Sequence, residues 1–258
     1  MLIKTAQLSD KGRVRQVNED SVWVGNIQGD YVLGIVADGM GGHRAGDTAS
    51  RLAVQTVISD LQGLEAGLSA EACRAALHDA ILHANDVVFH TAQISDDYHN
   101  MGTTVVAVLL RGSQGIIGHI GDSRAYLISE EGLRLITQDH SLVNELLKTG
   151  QISQEEAAAH PRRNVLTRAL GTDSEVSVEL DDIELSSGEV LLLCSDGLSN
   201  MITRDQIETV ALAGIALDER ARHLVALALE AGGEDNITVA LFEYDKTAQG
   251  AHSEGWTP

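Results

Sequence analysis

Tyr31-Val32-Leu33-Gly34-Ile35-Val36-Ala37 runs directly into Asp38-Gly39-Met40-Gly41-Gly42. The first seven residues carry no charge and are rich in β-branched side chains. So short an apolar run, bounded by a glycine-rich turn, reads as a strand covered on both faces. Outward from it, residues 45–61 have helical periodicity, with Leu52, Val54, Val57, Ile58 and Leu61 as core positions. A longer helix is expected over 69–93, capped by Ser69 and favoured by Glu71 in its first turn. Strands are expected at 21–24, 103–110, 114–120 and 125–128, the last three divided by the turn signals Arg111-Gly112-Ser113 and Gly121-Asp122-Ser123.

Residues 138–171 are polar and irregular, contain Pro161, and hold short helical stretches near 142–148 and 154–159. Strands resume at 176–185 and 189–194, helices at 203–213 and 218–230, and a last strand at 237–243. The tail 245–258 has no periodicity and is expected to be disordered. Short connections between strands imply antiparallel pairing rather than strand-helix alternation. The expected class is α+β, two packed antiparallel sheets with helices outside.

The 258 residues include 38 acidic and 18 basic side chains, for a formal charge of -20. That balance excludes a nucleic-acid binder, because each phosphate contact needs a cation, and it excludes electrostatic docking on an anionic membrane. No apolar run approaches the roughly 20 residues of a membrane span. Residues 1–11 lack the pattern of a signal peptide. Two cysteines, Cys73 and Cys194, make neither a disulfide framework nor a zinc site. The expectation is a cytoplasmic protein with reduced thiols. With aromatic residues at only 3%, the core must be aliphatic.

Five acidic residues share one context. Asp38, Asp122, Asp196 and Asp235 each lie in a turn touching an apolar run, and Asp20 follows Glu19 just ahead of a strand. Taken singly, an Asp-Gly pair is first a turn signal. Four such aspartates abutting strands in one chain point toward a site of oxygen ligands, the donor set that hard cations such as Mg(II) or Mn(II) prefer.

Six segments occur in order: Arg15-Gln16-Val17-Asn18-Glu19-Asp20, Asp38-Gly39-Met40-Gly41-Gly42-His43, Gly102-Thr103-Thr104, Gly121-Asp122-Ser123-Arg124-Ala125-Tyr126, Cys194-Ser195-Asp196-Gly197-Leu198 and Asp235-Asn236-Ile237-Thr238. Together they resemble the metal-dependent protein serine/threonine phosphatases of type 2C, in their bacterial form, over about residues 5 to 243. The resemblance implies a four-layer α-β-β-α sandwich with a phosphatase domain over 1–244, residues 138–171 forming its flap. It implies two Mn(II) or Mg(II) ions and a third, weaker site. Asp38 would bridge two ions, with the carbonyl of Gly39 on one of them. Asp196 and Asp235 would hold the first ion. Glu19 would serve the second directly or through water, with Asp20 beside it. Asp122, with Asp196, would match the third site. Arg15 would hold the substrate phosphate, and Asn236 would orient Asp235 or a bound water.

The implied reaction is attack of an activated water on the phosphorus of a phosphoserine or phosphothreonine in a protein, opposing a Ser/Thr kinase. An arginine fork suits the equatorial phosphoryl oxygens better than a lysine. The reading is of a monomer. Where some relatives have a histidine after the Asp-Gly pair, this chain has Met40; His43 lies three residues on. His140, in Thr-Gln-Asp-His-Ser, reads as a structural hydrogen-bonder near the flap. A metal-free binding module would be expected to lose the aspartates, and a cation buffer to cluster its acids in one loop. Neither pattern occurs.

Overall fold

The computed structural model describes residues 3–41, 45–94 and 96–245. His43 and the tail beyond Asp245 lie outside the described residues. Two antiparallel sheets pack face to face. In the first, β1 (Ile3–Asp10), β11 (Ile237–Tyr244), β10 (Val190–Cys194), β7 (Arg124–Ser129) and β8 (Gly132–Leu135) are adjacent in that order. In the second the order is β2 (Asp20–Ile27), β3 (Tyr31–Met40), β5 (Val105–Arg111), β6 (Gln114–Ile120) and β9 (Glu179–Glu184), with the short β4 (Gly102–Thr103) pairing the end of β3.

The strand that opens the sequence reading explains the layering. Successive side chains of a strand face opposite ways. Val32 and Val36 of β3 enter the core between the sheets, with Val106, Val108, Ala240 and Phe242. Leu33, Ile35 and Ala37 face the other way, onto α1 (Ala45–Leu61) and α2 (Ala70–Ile94), where Ala49, Val57, Leu77 and Ile81 meet them. Both faces of β3 are therefore dry, which is why its sequence is continuously apolar rather than alternating. Each fully buried Val or Leu contributes roughly 1.5–3 kcal/mol of transfer free energy. Gly34 supplies the space for Phe242: a Cβ there would stand 2.1 Å from Cζ of that ring.

On the outer face of the first sheet lie α6 (Arg204–Ala211) and α7 (Leu217–Glu230), burying Ile207, Leu224 and Ala228 against Leu192, Val239 and Leu241. The order of layers is α-β-β-α. Among the described residues no helix is long and apolar enough to cross a membrane. Residues 138–171 contain α3 (Leu142–Lys148) and α4 (Gln154–Ala158), capped by Ser141 and Ser153. This segment is stitched back to the sandwich where Ser141 bridges Leu166 and Leu170 bridges Thr103.

Three elements were not expected. β1 is an edge strand with only Ile3 and Ala6 buried, so it carries little alternation; it exists because β11 pairs with it from Tyr244 to Ile237. β8 has no fully buried residue. The single turn α5 (Asp196–Ser199) follows β10 without a periodic stretch long enough to read. The expected strand over 103–110 is also divided, at Thr104, whose backbone N–H donates to the carbonyl of Asp38 at 2.9 Å.

Candidate metal centre

The sandwich brings distant turns to one end. Asp38 lies near the end of β3, Asp122 sits in the turn from β6 to β7, Asp196 opens α5 after β10, and Asp235 precedes β11. All four line a cavity of about 530 Å³ together with Glu19 and Arg15. The opposite wall comes from the returning arm of the 138–171 segment, including Asn164, Leu166, Thr167 and Arg168.

Backbone contacts hold this end in shape. Strand pairing sets Asp20 directly opposite Asp38. The Asp38 carbonyl accepts from the Thr103 hydroxyl at 2.9 Å, and its N–H donates to Thr104 Oγ1 at 3.0 Å. Thr104 Oγ1 in turn meets Ser123 Oγ at 2.6 Å, beside Asp122. Gly39 and Gly46 allow β3 to touch the first turn of α1, since a Cβ on Gly39 would stand 2.1 Å from the Gly46 carbonyl oxygen.

Burial, then the neighbouring carboxylates, raise Asp38 far above the usual carboxylate range. Burial and Asp196 push Asp122 up to about 7. Asp196 is raised by burial and by Asp235, while a hydrogen bond from Asp38 partly offsets the rise. Burial also raises Glu19, against the pull of Arg15. Among the described residues, Glu19 Oε1 and Asp20 Oδ1 are buried without a hydrogen-bond partner. Crowded carboxylates, orphaned oxygens and a donor set made only of oxygen fit hard divalent cations, whose charge would relieve the repulsion.

Two of the expected site residues make further contacts beside the cavity. Asp20, the strand partner of Asp38, is not among the residues that line the cavity. Its Oδ2 accepts from the Ser195 hydroxyl at 2.7 Å, and burial pushes it up to about 7. Ser195, Thr238 and Ser9 continue this network through the interior, which sequence spacing could not reveal because the partners lie up to 229 positions apart. The side chain of Asn236 is held by the backbone on either side of Arg15. Its Oδ1 accepts from Glu19 N–H at 2.8 Å, and its Nδ2 donates to the carbonyls of Lys11 and Val17 at 2.8 and 3.0 Å. Only the Asn236 backbone N–H reaches Asp235 Oδ1, at 2.8 Å. The amide thus braces the loop that carries Arg15.

Arg15 reaches across the cavity mouth and donates from Nη2 to Asp235 Oδ2 at 2.6 Å. Asp196 Oδ2 is held by Asn200 Nδ2 at 3.1 Å. Met40 lines the cavity where a histidine would stand in some relatives.

The family profile described as Protein phosphatase 2C matches residues 11–227. A serine/threonine phosphatase, Stp, of Listeria monocytogenes is 43% identical over 242 residues, covering 94% of this chain and 96% of the relative. The crystal structure of the Streptococcus agalactiae serine/threonine phosphatase superposes with a TM-score of 0.90 at 39% identity, covering 94% of this chain and 100% of that one. The catalytic domain of the serine/threonine protein phosphatase PstP in complex with two manganese ions superposes at 0.83 and 35% identity, covering 95% and 99%. Sequence and structure agree over most of the chain: it belongs to the protein phosphatase 2C family of metal-dependent serine/threonine phosphatases.

Proposed function

We propose that the chain hydrolyses phosphoserine and phosphothreonine esters of proteins in the cavity between Arg15 and the aspartates. The observation that carries this reading is the convergence of Glu19, Asp38, Asp122, Asp196 and Asp235 from separate turns onto one wall, with an arginine at the mouth. Asp38 would serve two ions, and the carbonyl of Gly39 would serve one of them. Asp196 and Asp235 would complete one of them, and Glu19 would serve the other. Asp122 with Asp196 would hold a third. When bound, Mn(II) or Mg(II) supplies positive charge against the phosphate and makes water acidic enough to serve as nucleophile near neutral pH.

The remaining work belongs to side chains. The Arg15 fork, placed by the loop that Asn236 braces, suits two phosphoryl oxygens at once. Asn200 fixes the rotamer of Asp196, and Thr103 with Thr104 fixes the backbone of Asp38. The thioether of Met40 cannot donate a proton to the leaving serine or threonine oxygen. A second cavity of about 700 Å³ shares Asp122, Asn164 and Asp196 with the first and runs under α3 and α4, lined by Val143, Leu147 and Ile207. It suits the polypeptide on either side of the phosphorylated residue.

The phosphatase domain spans residues 1–244. It acts as a cytoplasmic monomer on phosphoproteins and opposes a Ser/Thr kinase. The test is hydrolysis of an aryl phosphate and of a phosphothreonine peptide with Mn(II). Asp38→Ala should abolish turnover of both, as should excess EDTA. Turnover that survives either treatment defeats the proposal.

A further inference from the structure

Residues 137–141, Thr-Gln-Asp-His-Ser, have no part in the chemistry above, yet four of them grip the region that carries Asp122. Thr137 Oγ1 accepts from Ala125 N–H at 3.0 Å, and the Gln138 carbonyl lies 3.0 Å from His119 Nε2. Asp139 takes the Arg124 fork at 2.9 and 2.6 Å.

His140 does most. Its N–H donates to the Gly121 carbonyl at 2.9 Å, and its Nδ1 accepts from the Gly121 N–H at 3.1 Å. One residue therefore holds both polar groups of the glycine that precedes Asp122. That glycine has a φ of +104°, and a Cβ there would stand 2.6 Å from the Thr104 side chain, so the turn has little freedom to be rebuilt.

The same residue also reaches the flap. Its carbonyl accepts from Thr167 N–H at 2.8 Å, on the cavity wall opposite the aspartates. An Nδ1 that accepts leaves the proton on Nε2, which then donates to Glu179 Oε1 at 3.1 Å. The buried ring stacks on His119 with centroids 4.9 Å apart. The ligand atoms of His119, His140 and Glu179 lie within 4.8 Å of one another, as in a metal site. However, the Arg168 guanidinium already stands 3.2 Å from Glu179 Oε1 and 3.5 Å from His140 Nε2, so it supplies the positive charge that a cation would bring.

We infer that His140 is a positioning residue that ties the Asp122 turn to the flap. Nδ1 and the backbone N–H set the turn, while Nε2 and the carbonyl set the returning arm. A shift at either end is felt at the other, and such coupling is reciprocal for binding. The inference rests on the reading of Asp122 as a site residue.

Two near-isosteres separate the two holds. In His140→Asn the amide falls near Nδ1 and keeps the Gly121 N–H. In His140→Gln it falls near Nε2 and gives that N–H up. H140Q should speed exchange of the Gly121 amide in metal-free protein by roughly tenfold, because a buried donor loses its acceptor, and H140N should not. H140Q should also weaken Mn(II) binding measured by calorimetry and lose more kcat than H140N. Glu179→Ala, which removes only the support at Nε2, should raise KM for the phosphopeptide severalfold more than it changes kcat. In the parent, nitrogen NMR should find Nδ1 of His140 bare and Nε2 protonated. A proton on Nδ1, equal Gly121 exchange in H140Q and parent, or proportionate losses in KM and kcat across all three variants would each overturn the inference. The exchange and tautomer measurements need no turnover. If the phosphatase reading fails, every variant is inactive while these two readouts still decide the role of His140.

Discussion

Stripping the cations should leave a cluster whose repulsion grows with pH, and Asp122 is where this is best measured. Burial, Asp196 and Asp139 push its carboxyl up to about 7 from an ordinary value of 3.8. In the unfolded chain it ionises near 3.8; in the folded metal-free protein it keeps its proton until about 7. Between those pH values the native state binds more protons than the unfolded one, so stability falls as pH rises and levels off above about 7. A shift of about three pH units corresponds to at most ~4 kcal/mol for Asp122 taken alone. Neighbouring carboxyls share the titration, so the cluster yields a few kcal/mol in total rather than the sum over its members. At about 2–4 °C per kcal/mol for a chain of this length, that is roughly 10 °C in Tm.

The assay is thermal and urea unfolding of chelator-stripped protein from pH 4.5 to 8, set beside Asp122→Asn, which keeps the shape and removes the ionisation. The gap between the two should be smallest at pH 4.5 and widen as pH rises. At pH 8 the variant should be the more stable metal-free protein by ~1–4 kcal/mol. Mn(II) should reverse the order by stabilising the parent more. A difference that does not change with pH, or a parent that gains stability between pH 5 and 8 without metal, would refute the reasoning.

Arg15→Lys keeps the charge but loses the planar fork, and should lower kcat/KM on a phosphopeptide by roughly ten- to a hundredfold with little change in Tm, as read by steady-state kinetics and thermal melts. Gly34→Ala places a methyl against Phe242 and should cost ~1–3 kcal/mol in urea unfolding; combining it with Phe242→Leu should recover part of the loss. Asp139→Asn leaves the largely buried Arg124 fork facing a neutral amide and should cost ~2 kcal/mol, and an unchanged urea midpoint would argue against that pair as a support of the Asp122 turn.

Local chemistry alone placed much of this molecule. The apolar run before Asp38, the helix over Ala45–Leu61 and the strand over Gln114–Ile120 were readable because each buries a full face of its own side chains, and such burial imprints a period on the residues. β1 and β8 were not, since edge strands hold their place by backbone pairing that any side chain permits. The order of the aspartate motifs marked the candidate ligands and the chemistry they suit. What it could not decide was which turns meet. Arg15 finds Asp235 across 220 positions, Asn236 reaches back to Val17, and His140 grips Gly121 from the far side of a hairpin. Those contacts depend on how two sheets stack and where their ends coincide. That arrangement decides that Asp122 stands in the cavity wall while Asp20 turns to Ser195, although both are aspartates at the margins of strands.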